Sequence, residues 1–301
     1  MLWLTFAIIA AVSAASTNIV MKIGLKKVDC DVATFLRTVV VLVLIFIIAL
    51  AFGTFGYVVV ISGREWVFII GSGVATAVSW LGFYKALKLA DASKVLPIDR
   101  LSAALTIILA IFIFNEELVL LTLFSIIIMI IGVLFMTLST AKNSGFVKLG
   151  DNKKPSKVGA SKKNLWWVYA IVALVAASFN AIFARIGMQS IPVQLGTFLR
   201  TIVVIVFLLI ITYGRGKLPK IKLLKPRSIL PLVISAALTA VSWLAFYTAI
   251  QIGYLSRVLP IDKLSIVIAI AFASIFLKEK MSKKAIAGLG LIIVATVMLI
   301  F

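Results

Sequence analysis

Long apolar runs separated by short polar breaks fill almost the whole chain. A helix needs about 20 mostly apolar residues to cross the hydrocarbon of a bilayer. On that measure the pattern predicts five helices in the first half, over about 2–25, 33–53, 66–89, 93–114 and 119–139. It predicts five more over about 165–187, 195–213, 229–251, 256–277 and 284–301. The runs are continuously apolar and do not alternate as a lipid-facing barrel strand does, so β structure is not expected. The first run has no basic segment ahead of it and has a counterpart at 166–187, which reads as a spanning helix and not as a cleaved signal.

The pattern is written twice. Thr76–Ser102 returns as Thr239–Ser265, 163 residues later, with 17 of 27 positions identical. Phe35-Leu36-Arg37-Thr38 returns as Phe198-Leu199-Arg200-Thr201, and Glu116 returns as Glu279, at the same offset. Residues 1–139 and 164–301 therefore read as two five-helix repeats, joined by a basic polar linker at 140–163. Five is odd, so the second copy must enter the membrane from the opposite side. The expected fold is all-α and integral to a membrane, with ten transmembrane helices in two inverted repeats.

Composition agrees. The chain is 63% hydrophobic and only 13% charged, with a mean hydropathy of +1.22, whereas soluble domains are roughly 45–50% apolar and about 25% charged. A net charge of +20 would suggest nucleic acid in a soluble chain. Here the basic residues cluster in loops between apolar runs, so topology accounts for them and no nucleic-acid partner is expected. One set of loops holds Lys26, Lys27, Lys88 and Lys94, the linker lysines, the basic residues of 215–227 and Lys278 to Lys284; the other holds Arg64 and little else, with Arg185 and Arg257 near its helix ends. Basic loops stay in the cytoplasm. That puts the linker inside and both termini outside, in the plasma membrane of a prokaryotic cell. With Cys30 alone, no internal disulfide can form. The sequence has no histidine, which removes a histidine triad, metal site or proton relay. No cofactor, metal or enzymatic activity is expected.

Candidate chemistry sits inside the apolar runs. Asp99 and Asp262 each lie six residues into a helix beginning near Ser93 or Ser256, roughly 9 Å deep at about 1.5 Å per residue. A carboxylate there faces a partner or a water-filled cavity. It is either a substrate or proton-coupling acid, or half of an ion pair with Arg37, Arg100, Arg200 or Lys263. Pro97 and Pro260 precede the acids and break the helix ladder, which frees a carbonyl or lets neighbours pack. Trp80 with Tyr84, and Trp243 with Tyr247, are i,i+4 pairs on one helix face. Either they line a pocket, where they could stack on a cation, or they pack between helices. Arg37 and Arg200 open their predicted helices and either snorkel to the interface or hold a substrate anion. Asn18 and Asn180 are hydrogen-bond candidates for substrate or for a neighbouring helix. Glu116 and Glu279 sit at helix-to-loop junctions and read as structural. Gly71-Ser72-Gly73 and Gly288-Leu289-Gly290 suit close helix contact.

These residues resemble the drug/metabolite transporter superfamily, EamA type. In each half a third helix ends in Phe-Tyr-x-Ala, at Phe83-Tyr84 and Phe246-Tyr247, and precedes a fourth with an internal proline and a Glu beyond its end. The resemblance covers nearly the whole chain and is specific for fold but not for substrate. It implies helices around a central cavity, working by alternating access on amino acids, other metabolites, drugs, sugar phosphates or nucleotides. Two features depart from it. Small multidrug relatives carry a coupling Glu in their first helix, ahead of a Met-Lys pair; Met21-Lys22 is present here but the position is Ala14. The family is also usually described with cytoplasmic termini, against the lysine distribution here.

The expected function is secondary transport of a small zwitterionic or anionic metabolite, such as an amino acid, coupled to an ion or proton or run as an exchange. The alternatives are a flippase for a lipid-linked sugar and a multidrug exporter.

Overall fold

The computed structural model describes residues 2–24, 30–89, 92–116, 120–143, 165–216, 229–276 and 283–300. Among them are ten α-helices, one for each predicted run. The first half gives α1 (Leu2–Gly24), α2 (Cys30–Ala51), α3 (Gly63–Leu89), α4 (Ala92–Phe114) and α5 (Leu120–Asn143). The second gives α6 (Trp166–Gly187), α7 (Val193–Gly214), α8 (Ile229–Ile252), α9 (Leu255–Phe276) and α10 (Lys283–Ile300). A 3-10 helix, Thr54–Val60, links α2 to α3. No strand occurs among the described residues.

Among the described residues, five helices are long and apolar enough to cross a bilayer: Val32–Ala51, Gly63–Phe83, Trp166–Gly187, Val193–Gly214 and Ile229–Ile252. Shorter apolar stretches fall at Leu2–Thr17, Leu101–Phe114, Leu123–Gly132 and Ile286–Ala295. Large apolar side chains stand outward on these helices, among them Val67 at 67% and Ile210 at 60% exposed. In water such a surface would aggregate; in a bilayer it is the lipid-facing wall.

Helix starts differ from the apolar pattern where polar residues do the work. α3 begins at Gly63 because Ser62 and Glu65 form a capping box. The Ser62 amide and hydroxyl donate to Glu65 Oε2, both at 2.9 Å, and the Glu65 amide donates back to Ser62 Oγ at 3.2 Å.

The helices form two compact units, and each unit draws on both halves of the chain: Met1–Ala77 with Ile182–Gly253, and Val78–Ala181 with Tyr254–Phe301. In the first, α1 lies along α8. Its seam of Ala7, Ala10, Ala11 and Ala15 is buried, and small residues let two backbones approach closely. Ser242 Oγ then reaches the Ala10 carbonyl at 3.0 Å. α2 packs on α8 through Val41, Ile45, Ala236 and Ala240. Phe46, Phe55 and Phe198 close a triangle of rings with centroids 5.4 to 5.6 Å apart. In the second unit α5 packs against α10. A Cβ on Gly132 would meet the Gly288 carbonyl at 2.9 Å, so that crossing depends on the missing side chain. Early α6 meets late α3 around Ala86, Val95 and Ala170.

Candidate functional site

In the first unit, α3, α7 and α8 converge on Arg200. The apolar run put Arg200 at the opening of its helix, either snorkelling to the interface or holding a substrate anion. In fact α7 starts at Val193, which leaves Arg200 on its third turn, and the side chain is 1% exposed. Nothing about it snorkels. Its Nε donates to Ser72 Oγ at 3.2 Å and one terminal nitrogen donates to Thr76 Oγ1 at 2.7 Å. Both hydroxyl protons are already spent on α3 itself, Ser72 Oγ donating to the Ile69 carbonyl at 2.8 Å and Thr76 Oγ1 to the Ser72 carbonyl at 2.9 Å. Their lone pairs are thereby left to face a donor, and a guanidinium is donor-only.

Two aromatic faces complete the environment. The guanidinium carbon lies 4.7 Å from the Tyr247 ring centroid and 5.7 Å from that of Trp243. Tyr247 is buried at 4% exposed. A cation within about 6 Å of an aromatic centroid is attracted by the ring quadrupole, more strongly where water is excluded. The i,i+4 spacing of Trp243 and Tyr247 along α8 puts both rings on this one group. The cation their pattern suggested is thus Arg200 itself. Close approach of α3 and α7 allows it: a Cβ on Gly73 would lie 2.7 Å from Val203 Cβ and 2.9 Å from the Arg200 carbonyl oxygen.

Arg37, the repeat counterpart, also lies on the third turn of its helix and not at its start, and is half-buried. Its helix partner α8 carries the repeat equivalents of Ser72 and Thr76. Ser235 Oγ donates to the Leu232 carbonyl at 2.8 Å and Thr239 Oγ1 to the Ser235 carbonyl at 2.7 Å, while Thr239 Oγ1 stands 3.5 Å from Thr17 Oγ1 on α1. The hydroxyl ladder is therefore duplicated along with the sequence. Asn18 is on α1, but its side chain is outside the described residues.

The remaining candidates belong to the second unit. Asp262, a quarter exposed, pairs with Lys263 at 3.5 Å, so of the four bases considered for it the described ion pair is with its own neighbour. Pro260 is inside α9 and buried. Trp80 and Asn180 are half-buried on α3 and α6. Asp99 and Pro97 fall within α4, and Tyr84 within α3, but these side chains lie outside the described residues, as does Glu279.

Sequence reasoning gave Ser72 only a place in the Gly71-Ser72-Gly73 helix contact and gave Thr76 no role, although both recur at the repeat offset as Ser235 and Thr239. It gave Glu116 only a structural role. Glu116 is buried at 4% exposed, with its carboxylate on the first amides of α9. Gly290, expected at a close helix contact, faces open space, with nothing within 4 Å of an added Cβ.

Among the described residues the structure is helical with an apolar exterior, and this is the surface of an integral membrane protein. The sequence pattern of the EamA-like transporter family matches residues 1–138 and 164–301. The chain belongs to this family, which fits the drug/metabolite transporter superfamily. It is 25% identical over 300 residues to an uncharacterized transporter of Archaeoglobus fulgidus, covering 100% of this chain and 98% of that one. It is 40% identical over 116 residues to an uncharacterized transporter in the cobO 3′ region of a Sinorhizobium species, 38% of this chain and 82% of that one. A crystal structure at 12% identity superposes with a TM-score of 0.73, covering 98% of this chain and 96% of the other. That likeness is one of fold alone.

Proposed function

We propose that the protein is a secondary transporter of a small zwitterionic or anionic metabolite, an amino acid or a related compound. It works by alternating access between two inverted five-helix repeats, 1–139 and 164–301, joined by a cytoplasmic linker at 140–163. All ten helices cross the membrane, and both termini are outside. Two hydrogen-bonded pairs fit the inverted scheme, because each joins helix ends that the scheme puts on one face. Gln251 at the end of α8 donates to the Met188 and Ile191 carbonyls after α6. Glu116 after α4 accepts from the start of α9.

The observation that carries the substrate class is the buried Arg200. A permanent cation between the helices, with hydroxyl partners on α3 and an aromatic face on α8, favours a negative group over a lipophilic cation. In this reading Arg37, Asn18, Trp243 and Tyr247 of the first unit, and Asn180, Trp80 and Tyr84 of the second, are the candidate substrate-binding residues, and Asp99 and Asp262 are the coupling candidates. A partly exposed Asp262, two residues after Pro260 within the continuous α9, suits an acid that takes part in coupling.

A thermal-shift screen on purified protein tests this, because a ligand of the native state raises apparent stability. Amino acids and small carboxylates should give the positive shifts. Shifts confined to lipophilic cations would replace this reading with a multidrug exporter, and shifts confined to polyprenyl-linked sugars with a flippase.

A further inference from the structure

The first turn of α9 is capped by a side chain 139 residues away in sequence. Beyond the end of α4, Asn115 takes a left-handed φ of 49°, which only a few residue types tolerate readily, and the next residue is Glu116. Its Oε1 accepts the Leu255 amide at 2.8 Å and its Oε2 accepts the Ser256 amide at 2.9 Å. Leu255, Ser256 and Glu116 are all buried. The ordinary solution for exposed amides at a helix start is a local Ser, Thr, Asp or Asn. Here the preceding residue is Tyr254, whose ring instead lies under the Arg257 guanidinium at 5.1 Å.

A remote cap does something a local one cannot. Two charge-assisted hydrogen bonds from one planar carboxylate fix both the position and the orientation of α9's first turn against the end of α4, and the negative charge suits the positive end of the helix. The connection at the start of α9 is short and its ladder is interrupted. Only Gly253 and Tyr254 separate it from α8, and Pro260 removes an amide from its second turn. Asp262 and Lys263 follow directly.

We propose that Glu116 is a positioning residue: its carboxylate ties the first turn of α9 to the end of α4 and so sets where Asp262 stands on that helix pair. Its value to transport rests on the role given to Asp262 above; the tie itself does not.

The experiment separates tying from capping without using a transported solute. A Phe112→Cys, Arg257→Cys pair is placed in protein lacking Cys30, in lipid nanodiscs, and linked with a short bifunctional maleimide. Three backgrounds are compared: Glu116 intact, Glu116→Ala, and Glu116→Ala with Tyr254→Asp, which supplies a local cap. Crosslinking should be roughly tenfold slower in Glu116→Ala, the factor one charge-assisted hydrogen bond is worth. It should stay slow in the double variant even as the melting temperature recovers. Crosslinking at the intact rate in Glu116→Ala overturns the proposal. So does a rate that recovers together with the melting temperature, which would leave Glu116 a cap and nothing more. Should the alanine backgrounds fail to fold, Glu116→Gln takes their place, and an intact crosslinking rate there is equally fatal.

Discussion

The Arg200 guanidinium stands 4.7 Å from the centroid of the Tyr247 ring while its other edge donates to Ser72 and Thr76. One side chain thus joins α3, α7 and α8. A lysine has the charge but not the planar fork, and cannot serve two hydroxyls and an aromatic face together. Arg200→Lys should destabilise the protein by about 1–3 kcal/mol, read as a lower melting temperature in detergent. An unchanged melting temperature would mean that the three-helix junction contributes nothing to the fold.

Gly73 and Gly290 should respond oppositely to the same change. A Cβ at Gly73 meets Val203 at 2.7 Å and the Arg200 carbonyl at 2.9 Å, whereas one at Gly290 meets nothing within 4 Å. Overpacking costs typically about 1–3 kcal/mol, so Gly73→Ala should lower the melting temperature clearly. Gly290→Ala, inside an exposed stretch of α10, should leave it unchanged or slightly raised. Equal effects at the two positions would contradict the helix contact described for Gly73.

Asp262 and Lys263 are both partly open, at 25% and 21% side-chain exposure. Removing the acid therefore leaves no fully buried cation, and the pair itself is worth only about 0–1 kcal/mol. If Asp262 has the coupling role proposed for it, Asp262→Asn should fold normally, retain exchange of substrate across a liposome membrane and lose accumulation against a gradient, because an amide cannot take the place of a coupling carboxylate. Loss of exchange together with a large fall in melting temperature would make the acid structural.

Topology is checked by labelling. A cysteine at Ser156 in the linker, with Cys30 replaced, should resist a membrane-impermeant thiol reagent in intact cells, while one placed after Phe301 should react. The reverse pattern would turn the molecule over.

Much of the architecture was legible because apolar length is a local property: each run of the sequence corresponds to a helix, from α1 to α10. The start of α3 was not read from hydropathy, though Ser62-x-x-Glu65 carried the signal in plain residues. The site was harder. Arg200 looked like a residue at a helix end, and what buries it are hydroxyls 124 and 128 residues away on α3. No periodicity within α7 reports such a partner; only the recurrence of Ser72 and Thr76 as Ser235 and Thr239 hinted at it. Likewise the pairing of Trp243 with Tyr247 gave the shared face but not the arginine that fills it.

Counterflow bears most directly on transport itself. Proteoliposomes are loaded with a high concentration of the compound that gives the largest thermal shift, then diluted into a trace of the same compound carrying a label. A carrier that presents one site alternately to each side takes up the label transiently above its equilibrium level, because unlabelled compound leaving returns the site outward. The overshoot should be saturable and should depend on the internal load. Uptake no faster than in protein-free liposomes, or uptake that rises linearly with concentration and ignores the internal load, would contradict alternating access by this protein.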